Sequence, residues 1–402
     1  MLRLLFISLS VFFSAVFSCC FAQTKQIEKS SGNLHFSVAP APEWNDLFTK
    51  NHGWFGGDGM FCTRWNGNEQ QGNLSKDSVL IWFSDTMIGD IINDSLQDGF
   101  LMINNSIAVL KKQHKKMPAL QFYWPAAEKQ KAPLSVFVPN TVATKKGEYY
   151  WLGDGFVNTA LKNDIFIFGY RIKNIPDQAQ FGFKQTGTAL IRIPVGEKIP
   201  FIHQSQKDLP FFQGENIDSA GSFGSALLIN TKQAGAPDAD EYLYIYGVRG
   251  QNKEVIVARV KPGLIESFDQ WTFWTGKEWS SNLKDIQPIA DHASNELSVT
   301  SVGHNRYLMI FQKDAISTTI AMRVGQSPVG PFGPIIEIYD TRPNIPSSPD
   351  IFPYNAKAHA VLSEPGELLI SYHINSFDFK NDIKKYPHLY SPRFIKLKYT
   401  FQ

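Results

Sequence analysis

Cysteine is nearly missing from this chain. Of three cysteines, Cys19 and Cys20 fall within the first 22 residues and only Cys62 follows. With that leading segment removed no intramolecular disulfide is possible, so the core must be held by burial alone. Cys62 stands at an apolar strand position, which favours an inert buried thiol over a reactive one. Charge is also sparse: charged residues are 19% of the chain and the formal net charge is +2. Neither sign is strong enough to recruit nucleic acid or an anionic membrane surface. After the leader no apolar run reaches the ~18 residues of a membrane span, and no amphipathic helix exceeds a few turns. There is no nucleophile elbow, no compact zinc spacing, and no dinucleotide fingerprint, since Gly56-Gly57-Asp58-Gly59 lacks a following helix.

Aromatic residues are abundant at 13%, and with 29 Gly and 23 Pro they favour short strands and many turns. Residues 1–22 have the plan of an export signal, with Arg3 as the positive region, an apolar Leu4 to Phe17 and Cys20-Phe21-Ala22 before the cleavage point. The expectation is a periplasmic or secreted monomer. The rival is lipid anchoring at Cys19 or Cys20, against which stands bulky Phe17 inside the would-be lipobox. Residues 23–45 read as a polar lead-in, and 46–402 as one domain.

Short strands separated by Gly, Asn, Asp and Pro turns predict an all-β sandwich, barrel or propeller. Five loosely similar segments, marked by Asp58, Asp154, Ser225, Glu296 and His359, select among these: the spacing of the markers fits one four-stranded blade each. The expected fold is therefore an all-β, single-domain, five-bladed β-propeller. In such a fold the innermost strands run alongside one channel, which would bring Asp58, Asp154, Glu296 and His359 to one pocket.

Carboxylic acids in a concave, aromatic-lined site suit glycoside hydrolysis, where one acid protonates the leaving oxygen and another acts as base or nucleophile. The assignment from sequence is Asp58 as base or nucleophile, Glu296 as general acid and Asp154 as pKa tuner or hydroxyl ligand. Asp85, closing the run Trp82-Phe83-Ser84-Asp85-Thr86, is a rival for the first role or else caps a turn. Trp54, Phe55, Trp82 and Trp151 are expected to offer ring faces to a sugar, with Asp85, Ser225 and His359 meeting its hydroxyls. The alternative for this stretch is a tight turn with its aromatics in the core. His359 could instead ligate a central metal ion; no other cofactor is expected.

Gly57-Asp58-Gly59 followed by Trp82-Phe83-Ser84-Asp85-Thr86 resembles the Asp-Gly and Trp-Phe-Gly-Asp-Thr motifs of a five-bladed propeller family that includes bacterial endo-D-arabinanases, with Ser84 where Gly is usual. Further on, Tyr244-Ile245-Tyr246-Gly247, Asn295-Glu296-Leu297-Ser298 and Tyr354-Asn355-Ala356-Lys357-Ala358-His359 are similar too, the last with Ala360 in place of Pro. Ser327-Pro328-Val329-Gly330-Pro331-Phe332 recurs in the wider arabinanase-like and levansucrase-like propellers. The resemblance implies the propeller fold and a glycan substrate, of arabinose type or another plant or microbial glycan. A non-catalytic glycan-binding propeller, or a protein-binding scaffold, would share the fold without a working acid.

Overall fold

The computed structural model describes residues 27–31, 33–72, 77–113, 116–127, 132–175, 182–213 and 220–402. The leader 1–22, with Cys19 and Cys20, lies outside the described residues. What is described is all-β as expected, apart from a few single-turn 3-10 segments and two short helices, Pro42–Phe48 and Phe379–Lys385. The first helix begins on a proline, whose missing N–H costs nothing there, and turns Trp44 and Phe48 to one buried face.

Five antiparallel sheets follow one another along the chain. The first is built from Phe61–Arg64, Val79–Phe83, Ser106–Gln113 and Lys116–Tyr123, and the second from Glu148–Asn158, Asp164–Asn174, Phe183–Ile193 and Ser205–Asp208. The third starts with Ser222–Asn230 and Tyr242–Arg249, and the fourth with Leu297–Gly303 and Arg306–Gln312. In the fifth, Ile351–Ala358, Glu367–Ser376 and Arg393–Phe401 are joined by Leu34–Pro40 and Ile27–Ser31 from the other end of the chain. The stretch expected to be a loose lead-in thus supplies two strands, because its apolar residues Leu34, Phe36 and Val38 need a core to enter. A smaller sheet pairs His52–Gly57 with Thr86–Ile92.

Side-chain alternation explains the packing. In Val79–Phe83 every residue is buried, since successive side chains point to opposite faces and both faces are covered. Leu80 and Trp82 enter a cluster with Leu152, Ile165 and Ile167 of the second sheet, whereas Val79, Ile81 and Phe83 meet Leu369 and Phe394 of the fifth. Comparable clusters join the second to the third sheet, the third to the fourth, and the fourth to the fifth. Each first strand contacts that of the next sheet from Phe61–Arg64 through to Ile351–Ala358. Lys357 then donates back to the Met60 carbonyl at 2.9 Å.

Trp54, Phe55 and Trp82 are 1%, 0% and 0% exposed, so the ring faces expected to meet a sugar are instead core. Trp54 stacks on Phe122 with centroids 4.1 Å apart, and Trp82 donates its indole N–H to the Gly153 carbonyl at 2.9 Å. Their apolar area is worth more against neighbouring sheets than at an open surface. Trp54→Ala is expected to cost about 3–5 kcal/mol in urea unfolding. Trp54→Phe should cost much less, because the Trp54 N–H is buried without a hydrogen-bond partner among the described residues; equal losses for the two variants would contradict this packing.

Candidate active site

Asp58 and Asp85 sit where the chain crosses between the small sheet and the first sheet. Gly57 pairs with Thr86 on one side of the crossing and Phe61 with Trp82 on the other. Between them the backbone closes on itself: Asp58 N donates to the Asp85 carbonyl at 3.1 Å and Ser84 N to the Asp58 carbonyl at 2.8 Å. These reciprocal bonds fix the two aspartates side by side. Gly59 makes the turn, with φ +59°, and a Cβ there would stand 2.7 Å from Ser84 Oγ and 3.2 Å from Glu296 Oε1.

The two aspartates have different surroundings. Tyr354 Oη donates to Asp58 Oδ2 at 2.6 Å, and Asp58 Oδ1 has no hydrogen-bond partner among the described residues. Burial raises the Asp58 pKa, while Tyr354, Tyr390 and the charge of Lys357 draw it down. Asp85 accepts from Asn104 Nδ2 at 3.3 Å, and the Trp151 indole stands beside it, its N–H completing no hydrogen bond among the described residues. Burial, then the charge of Asp58, push the Asp85 carboxyl up to about 7. Two close carboxyls with unequal support for their anions separate into an acid and a base.

Glu296 and Asp154 belong to the same electrostatic cluster but are more fully engaged. Lys357 Nζ binds Glu296 Oε2, and Asn355 Nδ2 donates to Oε1 at 2.7 Å. Burial carries Glu296 to about 7 against the pull of Lys357, with Asp58 and Asp154 adding repulsion. Asp154 lies on a bulge, where the register with the next strand shifts between Leu152 and Gly155. The bulge turns the carboxylate toward two backbone donors, Gly155 N at 2.8 Å and Leu227 N at 2.7 Å. Burial nevertheless raises Asp154 to about 7.

Of the residues chosen from sequence, the structure gathers Asp58, Asp85, Asp154, Glu296 and Trp151 around one centre. Ser225 occupies the matching bulge of the third sheet, between Phe223 and Ala226, but is 1% exposed and stands beside the Tyr170 hydroxyl. In the fifth sheet the bulge falls between Tyr354 and Lys357, so the equivalent position is Asn355-Ala356 and not His359. His359 is buried, with Nε2 2.7 Å from Ser371 Oγ and Nδ1 3.4 Å from Cys62 Sγ. Both ring nitrogens are occupied, which corrects the expectation that it meets a metal or a substrate hydroxyl. Burial lowers its pKa to about 3, so the ring is neutral. Among the described residues no group of three or more His, Cys, Asp or Glu is arranged to hold a metal ion.

Sequence reasoning missed Tyr354, Asn355, Lys357 and Tyr390. The first three lie inside the segment from Tyr354 to His359, where its one histidine drew the attention that its tyrosine and lysine merited. A cavity of about 280 Å³ includes Glu69, Asp154, Ser298, Lys357 and His359 in its lining, but not Asp58, Asp85 or Glu296. It also takes in Phe61 and Leu297, the first residues of their strands, and reaches the acids through Lys357, which binds Glu296.

A family model described as a domain of unknown function, DUF5005, matches residues 42–399. No curated protein matches this chain. Among solved structures, a candidate hydrolase from Bacteroides ovatus is 21% identical with TM-score 0.67, covering 90% of each chain, which shows a shared fold. A family-43 glycoside hydrolase from Xanthomonas citri, complexed with xylotriose, aligns at 14% identity and TM-score 0.43 over 89% of this chain and 88% of that one. An alpha-L-arabinofuranosidase from Podospora anserina aligns at 10% identity and TM-score 0.42 over 87% and 97%. Likeness at the level of these last two carries no argument about chemistry.

The raised carboxyls make stability depend on pH. Asp85 and Asp154 move from 3.8, and Glu69 and Glu296 from 4.5, to about 7 in the folded chain. Between those limits the folded state holds more protons than the unfolded state, so these groups make stability fall as pH rises. The melting temperature is expected to decline from about pH 4.5 to about pH 7 and then level. Glu69→Gln, which removes one such group, should shallow the decline. A melting temperature that climbs through this window would refute the protonation pattern.

Proposed function

This chain belongs to the DUF5005 family, and we propose that it is an exported glycoside hydrolase working on a poly- or oligosaccharide, of arabinose type or another plant or microbial glycan. Asp85 is the general acid that protonates the leaving glycosidic oxygen. Asp58, whose anion is favoured by Tyr354, Tyr390 and Lys357, is the base or nucleophile. The observation that carries this reading is the pair of reciprocal backbone bonds that holds both carboxyls at one crossing. In place of the sequence-based assignment, Glu296 positions Lys357 and Asn355, and Asp154 anchors the second sheet to the third through Leu227 N.

The five-bladed propeller reading is supported by the cycle of five inter-sheet cores and by the N-terminal strands that complete the fifth sheet. Radial packing explains why residues as distant in sequence as Asp58 and Tyr354 share a hydrogen bond. The export part of the proposal is supported by the plan of residues 1–22.

The test is incubation with arabinan, arabinoxylan, arabinogalactan and xylan, scored by new reducing ends. Asp58→Asn and Asp85→Asn should each lower turnover by ~10²–10⁴-fold without lowering the melting temperature. Glu296→Gln should lower turnover less and destabilise the fold more, because it leaves Lys357 without its anionic partner. Binding without cleavage by the native protein would identify a glycan-binding module, and unchanged rates in both aspartate variants would remove them from the chemistry.

A further inference from the structure

Two sets of aromatic rings flank the aspartate pair, and only one of them was anticipated. Beside Asp85, Trp151 packs edge-on to Phe183 with centroids 4.5 Å apart and stands 6.2 Å from Tyr149. Beside Asp58, the fifth sheet carries a second row. Tyr354, which donates to Asp58, is followed by Phe352 at 5.8 Å and then by Phe377 at 4.6 Å. Phe352 and Tyr354 alternate along one face of the inner strand Ile351–Ala358. Phe377 stands beyond the end of the paired strand Glu367–Ser376, held by its N–H to the Asp350 carbonyl at 3.0 Å.

Phe377 is 56% exposed, in contrast to the buried Trp54, Phe55 and Trp82. A phenylalanine so exposed, tilted at 40° against a half-buried second ring, costs solvation that burial elsewhere in this core avoids. Its row begins at a hydrogen-bonding tyrosine on a carboxylate and ends at this more exposed ring. That gradient suits a sugar chain, whose C–H faces lie on rings while its hydroxyls stay wet.

We propose that Phe352 and Phe377 form an outlying subsite for a further sugar of the chain that is cut between Asp58 and Asp85. The inference rests on the glycoside hydrolase reading and narrows it: the site grips an interior stretch of a glycan, with rings on both sides of the reacting bond. Binding energy taken up at the outer rings serves the chemistry only when the substrate is long enough to reach them.

Two measurements test this. In the first, the Asp58→Asn protein is run through native gels cast with arabinan, arabinoxylan, arabinogalactan or xylan. Adding Phe377→Ala should weaken retention about tenfold in the dissociation constant, the loss expected for one stacking face, with an unchanged melting temperature. In the second, kcat/KM is measured on whichever polymer the native protein cleaves and on its shortest cleavable oligosaccharide. Phe377→Ala should lower the value for the polymer about tenfold and leave that for the oligosaccharide unchanged. Equal effects on both substrates, retention that ignores Phe377, or retention in none of the four gels would overturn the subsite. Absence of cleavage by the native protein, with retention that still depends on Phe377, would overturn the hydrolase reading and leave the subsite standing.

Discussion

A buried ammonium group ties this centre together. Lys357 is 2% exposed, and a charge taken that far out of water is tolerated only when its donors are used and an anion faces it. Both conditions are met: Nζ binds Glu296 Oε2 and the Met60 carbonyl, and it lies 3.6 Å from the centre of the Phe61 ring. Lys357 belongs to the fifth sheet, Glu296 immediately precedes the fourth, and Met60 and Phe61 open the first. One cation therefore joins three sheets at the fold's centre, and its field reaches Asp58 and Asp154 as well. Uncompensated, the cluster of acids would repel itself apart or stay protonated.

Against that cation the four acids divide by how much of their hydrogen-bonding capacity is already used. Asp154 has a backbone donor on each oxygen and Glu296 a side-chain donor on each. Among the described residues Asp58 keeps Oδ1 open, and Asp85 has a long contact from Asn104. Reaction chemistry needs groups that can exchange protons with a ligand, and the pair at the strand crossing retains that freedom. Bulges in the second, third and fifth sheets carry Asp154, Ser225 and Asn355, and the first of them turns its carboxylate to the Leu227 N–H of the next sheet.

The aromatic residues divide along a similar line. Most rings fill the space between sheets, where one strand's two faces feed two different cores. A few stand beside the acids, and Phe377 is more than half exposed. Exposure, and not residue type, separates a ring that holds the fold from one placed to meet a ligand. The histidines fall on the structural side: His359 is neutral and doubly contacted, and His373 is buried with Met60 N directed at its Nε2.

Composition and local pattern determined the class of structure. Abundant aromatics with frequent glycine and proline permit little but short strands and turns, and the all-apolar run Val79–Phe83 requires a strand covered on both faces. The acids Asp58, Asp85, Asp154 and Glu296 were legible because each stands at a strand start, a strand end or a glycine-flanked turn, where a carboxylate can face a pocket. What the sequence could not carry was the partner of each group. The Trp54 and Trp82 rings, the ion pair of Lys357 and the tyrosine on Asp58 depend on contacts between residues 61 to 296 positions apart, which local periodicity does not encode. Only the packing of sheet against sheet decided which acids are satisfied and which are open, because burial and hydrogen bonding are properties of the assembled neighbourhood rather than of the residue.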